Sequence, residues 1–172
     1  MMEVMIVVLI LSILAVAGIP ALNATFDHAR LSAATEEAVN ALQYAQLTAM
    51  TSGRPTRVVI GHLSNRIGVR QYTLSGDLFA GGNELVSSDV EGGNYQLMDY
   101  PLKKGTKYPI LFDSEDRFRG IDIATSDFDS DHPLGFDTVG SPSHGGTAKF
   151  TLGGQWIVLT VDALTGKVSL SE

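Results

Sequence analysis

The 172-residue chain has no cysteine, which removes disulfide staples, cysteine–zinc sites and thiol chemistry. It is short of positive charge, with 12 Lys and Arg against 19 Asp and Glu and a net charge of −7. Binding to a phosphate backbone draws on clustered cations, so nucleic acid is not an expected partner. The four histidines, His28, His62, His132 and His144, form no HExxH or other paired arrangement. There is no phosphate-cradling glycine loop, no GxSxG elbow and no internal repeat. Enzymatic activity is therefore not expected.

Charge is missing altogether from one long stretch. From Val4 to Ile19 the chain is apolar but for the hydroxyl of Ser12, with Glu3 before it and Pro20 after it. As a helix, residues 2–19 make a rod of roughly 27 Å, about the hydrocarbon thickness of a bilayer. A rod that is apolar all round suits lipid or a helix bundle, not one side of a soluble core. No Lys or Arg precedes it, so the usual basic flank is absent. A carboxylate at the rim of hydrocarbon is costly unless it is protonated, reaches water or finds a cation. Three readings follow. The run is a single-pass anchor, or a secretory signal cut after Ala15-Val16-Ala17, or a stem that serves first in lipid and later in an assembly.

Beyond the run, Leu31, Ala34, Ala38, Leu42, Ala45 and Ala49 recur at spacings of three and four and predict one face of a helix over 23–51. Asp27, Arg30, Glu36, Glu37, Asn40 and Gln43 are expected on its polar side. Gly53 with Arg54-Pro55 stops it. Residues 2–51 can thus form one helix, which Pro20, helped by Gly18, is expected to kink or locally melt.

After Pro55 the period changes to two. Strands are predicted over 56–60, 67–74, 95–102, 108–112, 120–124 and 134–139, with a turn-rich stretch at 75–93 and an acidic loop at 126–134. The clearest hairpin is 147–152, Gly153-Gly154 and 155–161, followed by a turn and a closing strand over 167–170. Trp156, Val158 and Thr160 alternate with Ile157, Leu159 and Val161, so this strand is expected to be covered on both faces. The fold class is α+β. A long N-terminal hydrophobic helix packs on an antiparallel β-sheet or sandwich head, divided as stem 1–22, amphipathic continuation 23–52 and β-rich head 53–172.

Two sets of residues resemble a known family. Glu3-Val4-Met5-Ile6-Val7-Val8, followed by Pro20 seventeen positions after Glu3 (20 − 3), resembles the stem of type IV pilins and pseudopilins. Ala45-Gln46-Leu47-Thr48-Ala49 with Gly53, then Phe136, Gly140 and Pro142, then Leu164-Thr165-Gly166-Lys167-Val168, resemble the head of GspH/FimT-type pseudopilins. Gln46 stands where arginine is usual. The resemblance implies a filament subunit held by its stem in the bacterial inner membrane, its head in the periplasm, and later assembled into a secretion pseudopilus or an extracellular pilus. Its partners would be other pilin or pseudopilin subunits, membrane lipid and the assembly machinery. Glu3 would pair with the N-terminal amine of a neighbouring subunit, and Gly18 and Pro20 would give the stem slack. The family's leader and cleavage glycine are not seen, which would place Met1 about two residues inside a mature subunit. A major pilus subunit, a membrane-tethered β binding domain and a domain released after Ala17 remain as alternatives.

Smaller motifs carry less. Asp127, Asp129 and Asp131 alternate like the start of a calcium loop, but His132 and Thr138 stand where glycine and glutamate belong. A solvated acidic loop is the plainer reading, and no other cofactor is expected. Ser141-Pro142-Ser143-His144 reads as a turn. Asn23-Ala24-Thr25 has the form of a glycosylation sequon within the helix. Arg54, Arg57, Arg66 and Arg70 are expected to gather across neighbouring strands as a partner-facing or salt-bridged patch.

Overall fold

Gly53 ends the first helix with φ +63°, a left-handed conformation that leaves room for the chain to turn back. In the computed structural model that helix, α1, runs Met2–Ser52 without a break across Gly18 and Pro20. The structure describes residues 2–72, 95–102 and 105–172, and of these the side chains of all but residues 2 and 13–24. The expected turn-rich stretch at 75–93 and the turn at Lys103-Lys104 fall outside the described residues. Among the described residues no helix is long and apolar enough to cross a membrane. The second half of the apolar run lies among the side chains that are not described.

Nine strands follow among the described residues: β1 Thr56–Gly61, β2 Arg66–Tyr72, β3 Tyr95–Leu97, β4 Ile110–Leu111, β5 Asp122–Ser126, β6 Leu134–Phe136, β7 Gly146–Leu152, β8 Gln155–Val161 and β9 Val168–Ser171. They form two antiparallel sheets. One has the order β3-β2-β1-β6 with β4 also paired to β2, and the other has the order β5-β7-β8-β9. The expected strands over 95–102, 108–112 and 134–139 are shorter than their apolar runs. The chain leaves the ladder where Met98, Tyr100 and Tyr108 turn inward as loop residues and Phe112 opens a short 3-10 turn.

α1 lies against both sheets. Leu31, Ala34, Ala38, Ala41, Leu42, Ala45 and Ala49 are fully buried. Five of these seven are alanine, so the helix backbone comes close enough for Thr56 Oγ1 to donate to the Ala45 carbonyl at 3.0 Å. Aromatic side chains fill the remaining space. Phe112, Phe118, Phe128, Phe136 and Phe150 are almost wholly buried, and Phe112 stacks near Phe118 with ring centres 4.8 Å apart.

The helix covers only one face of the second sheet. Ile157, Leu159 and Val161 are buried beneath it. Trp156 on the other face is 45% exposed, with the Lys149 ammonium 4.9 Å from its ring centre. The expectation that β8 is covered on both faces is therefore corrected: alternation of apolar residues does not supply a second layer. Glu37 is corrected too. It is expected on the polar side of the helix yet is 5% exposed, because the segment 98–118 wraps that flank and brings Arg117 Nη1 to 3.7 Å from its carboxylate. Arg117 Nη2 also donates to Tyr100 Oη at 3.0 Å. Burial pushes the Tyr100 phenol above its usual pKa, the Arg117 hydrogen bond opposes this, and Glu37 adds to the rise.

The two sheets meet at a seam that one side chain closes. Asn65 sits in the β1–β2 turn at φ +45°, a conformation asparagine tolerates better than most residues. Its amide nitrogen donates to Ile121 O at 2.7 Å and Asp113 Oδ1 at 2.9 Å, and its amide oxygen accepts the Ile123 N–H at 3.1 Å. Nearby, the Ile60 N–H donates to Phe128 O at 2.7 Å. The start of β5 is thus fixed to the first sheet. Asn65→Ala removes three hydrogen bonds at a buried position and should lower stability by about 2–4 kcal/mol. Asn65→Gly relieves the backbone but not the lost bonds and should still destabilise. Denaturant unfolding of the full chain in detergent, followed by Trp156 fluorescence, measures both. Wild-type stability in the glycine variant would remove the seam role.

Candidate assembly interface

Among the described residues, the first eight of the apolar rod form a continuous stretch that the chain's own fold leaves uncovered. Val4, Met5, Ile6, Val7, Val8, Leu9, Ile10 and Leu11 are each between 50% and 74% exposed, on every side of the helix. An apolar side chain of this size gains about 1.5–3 kcal/mol on leaving water, so the segment calls for lipid or another apolar surface. Ser12 does not break the pattern, because its hydroxyl donates to the Val8 carbonyl at 2.7 Å and so needs no water. Glu3 stands exposed in the first turn, where the helix dipole favours a carboxylate. Gly18 and Pro20 lie within the helix, and their surroundings are outside the described side chains.

At the other end of α1 the three head signatures come together. Gln46 Nε2 donates to the Gly140 carbonyl at 2.9 Å. A Cβ at Gly140 would lie 2.7 Å from Met50 Sδ, and one at Gly166 would lie 3.1 Å from Gln46 Nε2 and 3.3 Å from Phe136 Cε1. Both glycines have left-handed backbones, with φ +83° and +67°. The stretch Phe136–Pro142 and the turn at Gly166 are thereby seated on the helix around Gln46. Their role is to close the top of the head. Asp162 holds the second turn, its Oδ1 accepting from Thr165 Oγ1 at 2.7 Å, Thr165 N at 2.8 Å and Leu164 N at 3.1 Å.

The other sequence candidates are dispersed. Asp127 Oδ2 accepts from Thr147 N and Oγ1 at 2.8 and 2.9 Å, while Asp129 Oδ2 lies 2.6 Å from His62 Nδ1, outside hydrogen-bond geometry. Asp131 is exposed. Among the described residues no group of three His, Asp or Glu is arranged to hold a metal, and the geometry lends the calcium reading no support. Ser143 Oγ lies 2.8 Å from His144 Nδ1 and accepts the Gly135 N–H at 2.9 Å. His144 Nε2 is buried with no partner among the described residues, so no carboxylate orients the ring as a base. Arg57 and Arg70 are directly opposite each other across β1 and β2, with Arg57 4.3 Å over the Tyr95 ring. Arg66 is at the far end of the same ladder and Arg54 is exposed at the helix end, so the four do not gather.

No protein-family model matches the chain, and no curated protein sequence matches it. Among solved structures, the crystal structure of the type IV minor pilin FimU of Pseudomonas aeruginosa (strain PAO1) is similar. The TM-score is 0.50 at 17% identity, over 85% of this chain and 91% of that one. The fold is pilin-like. At this identity the likeness speaks for architecture: one long helix packed on antiparallel sheet. The sequence signal that could have located the head's closing node was present, in Gln46, Gly140 and Gly166. The clip at Asn65 and the pairing of buried Glu37 with exposed Arg117 carried no such signal.

Gly140→Ala and Gly166→Ala each force a side chain into a left-handed backbone against packed atoms. Each should lower stability by about 1–3 kcal/mol in thermal or denaturant unfolding. A neutral outcome at both would show that the node is not tightly seated. Hydrogen bonds from Thr165 and Leu164 hold the Asp162 carboxyl below its usual pKa. A depressed folded-state pKa contributes stability above the unfolded value, and that contribution is lost as pH falls through the folded one. The stability gap between wild type and Asp162→Ala should therefore shrink between pH 6 and about pH 3. A gap that stays constant would sink this assignment.

Proposed function

We propose that the chain is a structural subunit of a type IV pilus or a type II secretion pseudopilus, in the manner of a minor pilin or pseudopilin. The observation that carries this is a helix whose upper half packs one face into a pilin-like head, while eight consecutive apolar residues of its lower half stand exposed. A segment of that kind fits lipid before assembly and copies or relatives of itself afterwards. In this reading the stem holds the subunit in the inner membrane with the head in the periplasm. Gly18 and Pro20 let the stem bend as it leaves the bilayer. The head supplies the contacts that distinguish one subunit from another. No catalysis is assigned to it.

Glu3 is the residue proposed to set alignment, by pairing with the N-terminal amine of a neighbouring subunit. Opposite charges at the edge of a low-dielectric core attract strongly and are each costly alone, so such a pair acts as a register device. Glu3→Ala should leave the head's unfolding transition unchanged while strongly reducing the amount of subunit recovered in sheared filaments from cells. Incorporation at the wild-type level would remove the pairing role.

A further inference from the structure

Resting on the membrane reading above, we infer that the stem-proximal end of the head, formed by Phe26, the β7–β8 hairpin tip and the C-terminal residue, lies in the lipid headgroup layer before assembly. The helix itself is the ruler. In the sequence, residues 4–22 contain one hydroxyl and no charge, and as nineteen helical residues they span about 28 Å, close to the hydrocarbon thickness of a bilayer. Among the described side chains Leu31 is the first fully buried one of the helix, and it marks where the head begins. From Leu22 to Leu31 is nine residues (31 − 22), or about 14 Å of helix. A headgroup layer takes up roughly 5–8 Å on each side of a bilayer. Little water-filled spacer is left between the head and the lipid, and any tilt or bend of the stem shortens the gap further.

The residues at that level fit the position. Phe26, four residues beyond Leu22, is 62% exposed on the helix, a large apolar ring one turn above the hydrocarbon edge. One residue further on, the Asp27 carboxylate packs where a Cβ of Gly153 would lie 2.8 Å away, which places the hairpin tip beside the helix at that height. Next, His28 Nε2 is 3.2 Å from Glu172 Oε1, which places the end of β9 there as well. Among the described residues, Asp27, Arg30 and Glu172 at this level carry charge of both signs, so zwitterionic headgroups suit them without a need for anionic lipid. The turn at Leu164 packs near Gln46, twenty residues up the helix from Phe26 (46 − 26), or about 30 Å away, and stands clear of the surface.

The absence of native cysteine makes the test direct. Val8→Cys, Phe26→Cys, Leu164→Cys and Glu172→Cys, all at exposed positions, are labelled with a nitrobenzoxadiazole dye in the full chain and reconstituted into phosphatidylcholine vesicles. Nitroxides placed on the headgroup or deep on the acyl chain then quench by depth. Expected is deep quenching at 8, headgroup-level quenching with a blue shift at 26 and 172, and neither at 164. Deep quenching at 8 with water-like emission at 26 and 172 overturns this inference alone. Water-like emission at 8 overturns the membrane reading and this inference with it.

Discussion

One helix has to satisfy two surroundings, and the rest of the molecule follows from that. Its upper half is mostly alanine on the buried side, with Ala34, Ala38, Ala41, Ala45 and Ala49 fully enclosed. Small side chains let two sheets approach the backbone closely, so the aromatic residues of the loops and strands, not the helix, supply the bulk of the core. Its lower half is large and apolar all round, and within the described residues nothing of the chain covers Val4 to Leu11. The two halves are different solutions to the same need to remove apolar surface from water. One solution is internal to the chain and the other must come from outside it.

A head built around a single helix leaves a gap where its two sheets meet, and the chain closes it with polar contacts. β1 pairs with β6 over one half of its length and faces β5 near its end. Asn65 spans that junction with bonds to Asp113, Ile121 and Ile123. The top of the head uses the same device, with Gln46 reaching from the helix to the Gly140 carbonyl. In both places a side-chain amide satisfies backbone groups that no strand partner reaches, as buried polar groups require. The head is thus held together at two heights, by Asn65 at the seam and by Gln46 on the helix.

Much of this was legible in the sequence, and the exceptions share a cause. The helix, the hairpin at Gly153-Gly154 and the strands β1 and β2 follow from local period and turn chemistry, which neighbouring residues determine. Glu37 and Asn65 do not. A glutamate on a helix reads as solvent-facing until a distant segment brings Arg117 over it, and an asparagine in a turn reads as turn chemistry until β5 arrives at its amide. The open face of β8 failed in the opposite sense. Trp156 and Val158 give the pattern of a doubly covered strand, but one helix can cover one face. The acidic loop at Asp127–Asp131 matched a motif by spacing alone. Its carboxylates went to Thr147 and His62, because local spacing does not fix where side chains point once the loop packs.

For the proposed assembly, the rod itself would set a limit on what drives it. A helix leaving lipid for a bundle of similar helices exchanges one apolar environment for another, so hydrophobicity contributes little to the transfer. Under the proposed function, what would remain is packing between side chains such as Val7, Val8 and Leu11, the bend proposed near Gly18 and Pro20, and the charge at Glu3. A carboxylate at the start of an otherwise uncharged rod is the one group there whose energy depends steeply on where a neighbour's charge sits. In the proposed filament, sliding one stem against another by a single helical turn would change apolar contact only modestly, but it would move that carboxylate about 5 Å from the proposed amine. Register would then be best specified by the residue that is most costly to leave alone, while the surrounding apolar residues would supply adhesion without choosing a position.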